Sequence, residues 1–205
     1  YINKNNFVRQ NKLNSKKEII ALLPGSRKQE VGRMLDVMLK VVDKFPEYQF
    51  VIGCAPSLPE EYYKSLIGNE NVQLVFNKTY QLLQVASAAL VTSGTATLET
   101  ALFYVPEVVC YKGNKISYLI AKNLIKVKYI SLVNLIMDKL VVKELIQNDL
   151  TPENVEAELK QLLTNHKVQC QLLDDYEELR YKLGNAGASN KTAAIIFEDL
   201  NKKSK

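Results

Sequence analysis

The chain has 205 residues, of which 47% are hydrophobic, and this is enough to bury the core of one large domain. Its 27 Lys and Arg residues outnumber its 22 acidic residues and give a net charge of +5, a mild bias that favours anionic ligands but is too weak to indicate nucleic-acid binding. A single histidine excludes histidine-based triads and zinc sites, so we predict no metal and no other cofactor.

The first residues are polar and rich in Asn and Lys. Residues 1–17 show little periodicity, and the apolar run from Glu18 to Leu23 follows them directly. We predict a linker over residues 1–17 and then a buried strand. Such an abrupt start is typical of the second half of a two-domain protein, so we expect an amino-terminal domain to precede this chain. The start does not resemble a signal peptide, and we expect a soluble, cytoplasmic protein.

A candidate anion-binding loop follows this first strand. Gly25 and Ser26 offer donors at the start of a predicted helix, and Arg27 can hold a phosphate with two parallel charge-assisted hydrogen bonds. Apolar residues then recur at helical spacing from Val31 to Phe45. The alternative is a solvated arginine in an ordinary turn, and the loop alone leaves both interpretations open.

Predicted strands and helices then alternate along the chain. The further predicted strands are residues 49–55, 72–76, 88–92 and 105–111. This alternation predicts an α/β fold, a Rossmann-like open parallel sheet with helices on both faces. In such sheets ligands bind beyond the carboxyl ends of the strands, where the loop at Pro24 to Arg27 lies.

A second candidate anion-binding turn lies in Thr92-Ser-Gly-Thr-Ala-Thr-Leu-Glu99. Gly94 lets the backbone approach a ligand closely, while Ser93, Thr95 and the first helical N–H groups are donors. The alternative is a strand-to-helix turn in which these side chains only cap the helix. Glu99 could meet the paired hydroxyls of a ribose, or only stabilise the helix dipole by about 0.3–1 kcal/mol. Two such loops at one edge of a sheet favour a diphosphate ligand.

The remaining sequence predicts a basic segment and several helices. Lysines interleave with apolar residues over residues 112–128, which is typical of a helix packed on the core and also of a helix on an anionic membrane surface. Residues 129–134 are predicted to be extended, and residue 142 begins another predicted helix. Further helices are predicted over residues 152–163, 169–183 and 188–200. We therefore expect one domain over residues 18–165 and carboxyl-terminal helices over residues 166–205.

Five motifs in this order resemble those of lipid-A-disaccharide synthases. They are Leu22-Leu-Pro-Gly-Ser-Arg27 with Glu30, Thr92 to Glu99, Val105-Pro106, Ser131-Leu-Val-Asn-Leu135 and Glu144-Leu-Ile-Gln147. The resemblance covers almost all of the chain after residue 18. It implies the carboxyl-terminal, nucleotide-binding domain of a GT-B glycosyltransferase of lipid A biosynthesis.

The resemblance also implies the reaction and its partners. The family transfers 2,3-diacylglucosamine from UDP to 2,3-diacylglucosamine 1-phosphate and releases UDP, without a metal ion. The general base is implied to lie in the amino-terminal half, so this chain would bind UDP but be inactive alone. The implied setting is the cytoplasmic face of the anionic inner membrane. The carboxyl-terminal helices would pack on the domain or across a homodimer.

The family's site residues fall on nine positions of this sequence. Arg27 is implied to stabilise the leaving group. The implied substrate-binding residues are Gly25, Ser26, Arg27, Ser93, Gly94, Thr95, Glu99, Asn134 and Gln147. Val133 and Lys143 stand where the family usually or often has proline, so the loop geometry around Asn134 and Glu144 is open at this point.

Two other functions remain open from the sequence. One is another GT-B enzyme that uses a UDP-sugar, such as a UDP-N-acetylglucosamine epimerase or a muramyl-lipid glycosyltransferase. The other is a module without catalytic activity that docks on an anionic membrane through the basic residues 115–128.

Overall fold

The computed structural model describes residues 3–113, 128–184 and 187–203 of the chain. Its strands form a single six-stranded sheet in which every neighbouring pair is parallel. The strands are β1 (Glu18–Leu23), β2 (Tyr48–Cys54), β3 (Val72–Phe76), β4 (Ala86–Thr92), β5 (Glu107–Tyr111) and β6 (Lys143–Ile146). Their spatial order is β3-β2-β1-β4-β5-β6, which is the Rossmann order. The predicted open parallel sheet is confirmed.

Helices connect the strands and complete the chain. The α-helices are α1 (Lys4–Gln10), α2 (Lys28–Met38), α3 (Glu60–Ile67), α4 (Thr79–Leu83), α5 (Thr95–Leu102), α6 (Leu132–Met137), α7 (Pro152–Thr164), α8 (His166–Leu183) and α9 (Ala188–Lys203), with 3-10 turns at Leu39–Lys44 and Gln147–Asp149. The start of α7 follows from local sequence, because Pro152 occupies its first turn and the Thr151 hydroxyl accepts from the Asn154 N–H. No helix within these ranges is long and apolar enough to cross a membrane.

The core lies on both faces of the sheet because the side chains of buried parallel strands alternate between two helical layers. On one face, Ile20 and Leu22 of β1 belong to a buried cluster with residues of α2, α3, α7 and α8. On the other face, Ile19 and Ala21 belong to a second cluster with residues of α1 and α4. The predicted placement of helices on both faces is therefore confirmed.

The amino-terminal segment differs from the predicted linker. Within residues 1–17 the structure forms α1, capped by the Asn3 side chain, and the side chains of Phe7 and Val8 are buried in the second cluster. The Gln49 amide also donates to the carbonyls of Asn14 and Lys17. A helix of seven residues with two apolar side chains is too short to show helical periodicity. It is stabilised by the burial of those two side chains against the domain. This segment is part of the packed domain.

Two short elements were assigned to the wrong class. The segment predicted to be extended, residues 129–134, leads into α6, whose start is fixed by the Ser131 hydroxyl accepting from the Asn134 N–H. The helix predicted from residue 142 is instead β6, which pairs with β5. Periodicity alone does not distinguish a strand from a helix in an apolar run of four to six residues. The element that packs against the run determines which of the two it forms.

The carboxyl-terminal helices differ from each other in burial. Leu172, Tyr176 and Leu179 of α8 are buried against the domain. In contrast, Ile195, Ile196 and Phe197 of α9 are between 55% and 67% exposed. The basic segment predicted to be helical, residues 112–128, lies outside the described residues apart from its ends.

Strand β5 buries a carboxyl group. Glu107 is 1% exposed, and neither of its carboxylate oxygens has a hydrogen-bond partner in the described parts of the chain. Burial raises the pKa of Glu107 well above its ordinary value, because a low-dielectric interior disfavours the charged form. Glu107 therefore binds a proton more tightly in the folded chain than in the unfolded chain.

We predict that Glu107→Gln reduces the loss of stability that the chain suffers as pH rises. Above the ordinary glutamate pKa of 4.5 the folded state still holds the proton and the unfolded state has released it. Each pH unit in that window lowers the free energy of unfolding by up to about 1.4 kcal/mol. Urea unfolding at about pH 5 and about pH 8 measures this effect. The free energy of unfolding of the variant, relative to that of the unmodified chain, should be higher at about pH 8 than at about pH 5.

The matched control is Glu70→Gln, which changes an exposed glutamate in the same way. It should leave the pH dependence of unfolding as it is in the unmodified chain. If the Glu107→Gln variant showed the same pH dependence of unfolding as the unmodified chain, the Glu107 carboxyl group would not be the cause of the loss of stability at high pH.

Candidate functional site

The candidate site lies where the order of the strands reverses. The chain runs from β1 to β2 on one side and later returns to β4 on the other side of β1, so the loops after β1 and β4 separate and leave a cleft at the carboxyl edge. The cleft has a volume of about 370 Å³. It is lined by the ends of β1, β2 and β4 and by both predicted anion-binding loops, including Gly25, Ser26, Arg27, Ser93, Gly94 and Thr95. The structure brings these six predicted residues together.

The loop after β1 is held by its own side chains. Gly25 has φ 105°, a conformation that favours glycine, and a Cβ atom there would overlap the carboxylate of Glu30. That carboxylate accepts a hydrogen bond of 3.2 Å from the Ser26 N–H, and the Ser57 hydroxyl donates to the Ser26 carbonyl. Arg27 is exposed at the rim and forms no ion pair with a described acidic residue. Its guanidinium remains available to an anion.

The loop after β4 presents the start of α5 to the cleft. Gly94 precedes the helix with φ 149° and makes no side-chain cap, so the first backbone N–H groups of α5 lack a capping side chain. These groups and the positive end of the helix dipole favour an anion. The Ser93 hydroxyl, a predicted donor, instead donates to the Ile130 carbonyl at 3.0 Å. The turn therefore offers mainly backbone donors.

Glu99 lies in a neighbouring hollow rather than in the cleft itself. This hollow has a volume of about 410 Å³ and shares Thr79 with the cleft. The Tyr80 hydroxyl donates to Glu99 Oε1 at 3.0 Å, which raises the pKa of the tyrosine, and the Tyr80 ring packs at 5.6 Å from the ring of Phe103. Thr79 and Tyr80 carry no signal in the sequence, because their helix is short and contains no motif.

Asn134 is not brought to the cleft. Its residue is 0% exposed, and its amide makes four hydrogen bonds of 2.8–2.9 Å within the chain. Oδ1 accepts from the N–H groups of Val141 and Val142, while Nδ2 donates to the Val142 carbonyl and to Glu144. An amide has two donors and two acceptor sites, so this side chain is fully used inside the protein. Asn134 fixes the connection between α6 and β6.

Glu144 completes this arrangement. Its carboxylate accepts hydrogen bonds of 2.9–3.2 Å from the N–H groups of Ile130 and Ser131 and one of 2.8 Å from Asn134. These hydrogen bonds hold the connection around Asn134 and Glu144, whose geometry the sequence had left open because of Val133 and Lys143. Ser131 in turn caps α6, and the Ile130 carbonyl holds Ser93. The Asn134 network therefore supports the loop after β4.

Gln147 follows β6 at the same edge of the sheet but is not among the residues that line the cleft. It has φ 53°, and its Nε2 is buried without a hydrogen-bond partner among the described residues. Within the same residues, no group of His, Cys, Asp and Glu side chains is arranged to hold a metal ion.

Comparisons with known proteins show which family the chain is similar to. A family model described as lipid-A-disaccharide synthetase matches residues 1–198. The chain is 42% identical over 192 residues to the lipid-A-disaccharide synthase of Syntrophus aciditrophicus (strain SB), covering 90% of this chain and 50% of that protein. It is 33% identical over 199 residues to the lipid-A-disaccharide synthase of Coxiella burnetii (strain CbuG_Q212), covering 95% of this chain and 53% of that protein. The chain spans about half the length of the curated relatives it matches.

Solved structures of other proteins share the fold. S. aureus MnaA, solved with UDP, superposes with a TM-score of 0.63 at 15% identity, over 98% of this chain and 48% of that one. WaaG, a glycosyltransferase involved in lipopolysaccharide biosynthesis, superposes with a TM-score of 0.56 at 15% identity, over 94% of this chain and 50% of that one. At such identities the likeness concerns the fold alone, and it confirms the predicted GT-B type of domain.

We predict that Asn134→Ala lowers the free energy of unfolding by about 2–5 kcal/mol, because it leaves several buried backbone and carboxylate groups without partners. Chemical unfolding measures this loss. Asn154→Ala is the matched control, since its exposed amide donates to the Asp149 carbonyl and to no other described group. This substitution should lower the free energy of unfolding by about 1 kcal/mol or less. If Asn134→Ala left stability unchanged and abolished ligand binding, the side chain would face the ligand instead.

Proposed function

Since the chain belongs to the lipid-A-disaccharide synthetase family, we propose that it is the UDP-sugar-binding half of an enzyme that transfers 2,3-diacylglucosamine from UDP to 2,3-diacylglucosamine 1-phosphate. The observation that carries this proposal is the cleft at the switch point, where two loops from separate parts of the sequence present backbone donors and one arginine to the same space. A diphosphate is the ligand chemistry that uses both loops.

The diphosphate of UDP would lie between the two loops. The N–H groups at the start of α5 face one side of the cleft, and Ser26 and Arg27 face the other. Arg27 supplies a charge-assisted, bidentate contact to phosphate oxygens, whereas Gly94, with open space where a Cβ would lie, keeps the backbone of the loop after β4 accessible. This arrangement supports the five other proposed contacts, at Gly25, Ser26, Ser93, Gly94 and Thr95, with Ser93 contributing through its backbone.

The ribose of UDP would face the hollow beside the cleft. Glu99 can accept hydrogen bonds from paired hydroxyls, and the Tyr80 hydroxyl already donates to its Oε1. The Tyr80 side chain is 55% exposed and adds an aromatic surface next to this position. We propose Glu99 as the ribose contact and Tyr80 as the residue that positions it.

The chemistry at this half of the site is stabilisation of the leaving group. When an acceptor hydroxyl oxygen forms its bond to the anomeric carbon, the bond from that carbon to UDP breaks and the diphosphate gains negative charge. Backbone donors and an arginine that already face this position stabilise that charge as it develops. The proton of the hydroxyl would go to a base in the other half of the full-length enzyme.

The partners of this domain follow from the same proposal. The other half of the enzyme would supply the general base and most of the acceptor site, and the reaction would take place at the cytoplasmic face of the anionic inner membrane. The exposed apolar residues Ile195, Ile196 and Phe197 of α9 support contact with that half or with a second copy of the protein. Gln147 remains proposed as a substrate contact, because its Nε2 lies at the carboxyl edge without a hydrogen-bond partner in the described part of the chain.

We predict that the chain binds UDP more tightly than ADP, with a dissociation constant of about 0.1–1 mM because only half of the enzyme's site is present. Isothermal titration calorimetry at high protein concentration measures both affinities. Equal affinity for the two nucleotides would argue against a uridine-specific site and therefore against this function.

We also predict that Arg27→Gln weakens UDP binding by about tenfold to a hundredfold, since a hydrogen bond to a charged group contributes about 1.5–3 kcal/mol. The thermal midpoint should stay nearly constant because the side chain is exposed on a loop. Arg9→Gln, an exposed arginine of α1, is the matched control and should leave UDP affinity as it was. A large loss of stability in Arg27→Gln would indicate a structural role.

A further inference from the structure

A second cavity lies beside the cleft, at the ends of β4 and β5. Its volume is about 370 Å³. Its charged lining comes from the start of α2 and from the residue after β5, namely Arg27, Lys28, Glu30, Arg33 and Lys112, and Thr92 lines it at the end of β4. Arg27, Glu30 and Thr92 also line the cleft, so the two cavities share a wall.

The second cavity is strongly basic. Four cationic side chains line it against the single carboxylate of Glu30, and that carboxylate already accepts from the Ser26 N–H. In the described parts of the chain Arg27, Arg33 and Lys112 form no ion pair, while Lys28 lies 5.2 Å over the ring of Tyr62. Of these four cations only Arg27 also lines the cleft. Lys28, Arg33 and Lys112 therefore form a positive region outside the cleft, and it favours a second anion.

The shared wall contains an unsatisfied donor. Thr92 is 4% exposed, and its Oγ1 has no hydrogen-bond partner among the described residues. A buried hydroxyl without a partner destabilises a protein. Since Thr92 lines both cavities, an anion oxygen placed against this wall would provide the acceptor that the chain itself does not.

We propose that the second cavity binds the phosphate monoester of the acceptor while the UDP-sugar occupies the cleft. This inference rests on the proposed function, whose acceptor carries a phosphate. A phosphate monoester has a charge of about −1.5 to −2 at pH 7, and it would lie beside the diphosphate of the donor. Arg27 would lie between the diphosphate and the phosphate monoester, and the positive charges of Arg33 and Lys112 would balance the charge of the monoester. The phosphate would thereby hold the acceptor next to the donor sugar.

The test uses glucosamine 1-phosphate as a soluble form of the acceptor head group. The 205-residue chain is first saturated with UDP and then titrated with this sugar phosphate by calorimetry. We expect it to bind without displacing UDP. Arg33→Gln and Lys112→Gln should each weaken it by about tenfold and change UDP affinity by less than about twofold.

Two controls sharpen this test. Lys167→Gln removes an exposed lysine of α8 that lines neither cavity, and it should leave the affinity for the sugar phosphate as it was. Inorganic phosphate should bind more weakly than glucosamine 1-phosphate if the cavity receives the acceptor. Equal binding of the two probes would contradict the assignment to the acceptor.

Other outcomes would overturn the proposal directly. Displacement of UDP by the sugar phosphate would mean that the two cavities form one site for a single anion. Loss of UDP affinity in Arg33→Gln or Lys112→Gln would place these side chains on the nucleotide. A chain that binds UDP but not the sugar phosphate lacks this second site only, whereas a chain that does not bind UDP contradicts the proposed function itself.

Discussion

The pairing of β1 with β4 is the contact on which the candidate site depends. Leu22 pairs with Leu90 and Leu23 with Val91, so both strands end at the same level and release their loops side by side. All four residues are buried, and a shift of one residue in this register would exchange the two faces of β4. Burial on both faces of the sheet thus sets the spacing between Arg27 and the start of α5, which lie far apart in sequence.

Much of this arrangement could be predicted from sequence because the signals are local. A buried parallel strand is an apolar run followed by turn residues, and glycine next to Ser or Thr marks the two candidate anion-binding loops. The missed elements lack such signals. Helix α1 depends on burying Phe7 and Val8, and β6 depends on pairing with β5. Their structure comes from tertiary contacts that a short window of sequence does not contain.

The roles of site residues were harder to predict than their positions. Resemblance to a family marks Asn134 as important, but only the structure shows that its amide is used entirely within the chain. The reverse holds for Arg33 and Lys112, which belong to no motif and meet at one cavity because the sheet brings α2 close to the end of β5. Lysines and arginines at a surface are ordinarily solvated. No sequence pattern links Arg33 to Lys112, which falls only at the start of the basic segment 112–128.

The contact between Glu30 and the loop at Gly25 has a consequence for the kinetics of binding. The chain's own carboxylate holds the Ser26 N–H at 3.2 Å, and it fills the space beside Gly25 that a side chain would need. A loop that its own scaffold has already ordered loses little conformational entropy when a ligand arrives. Glu30 therefore preorganises this loop, and a ligand should bind to it without waiting for the loop to become ordered.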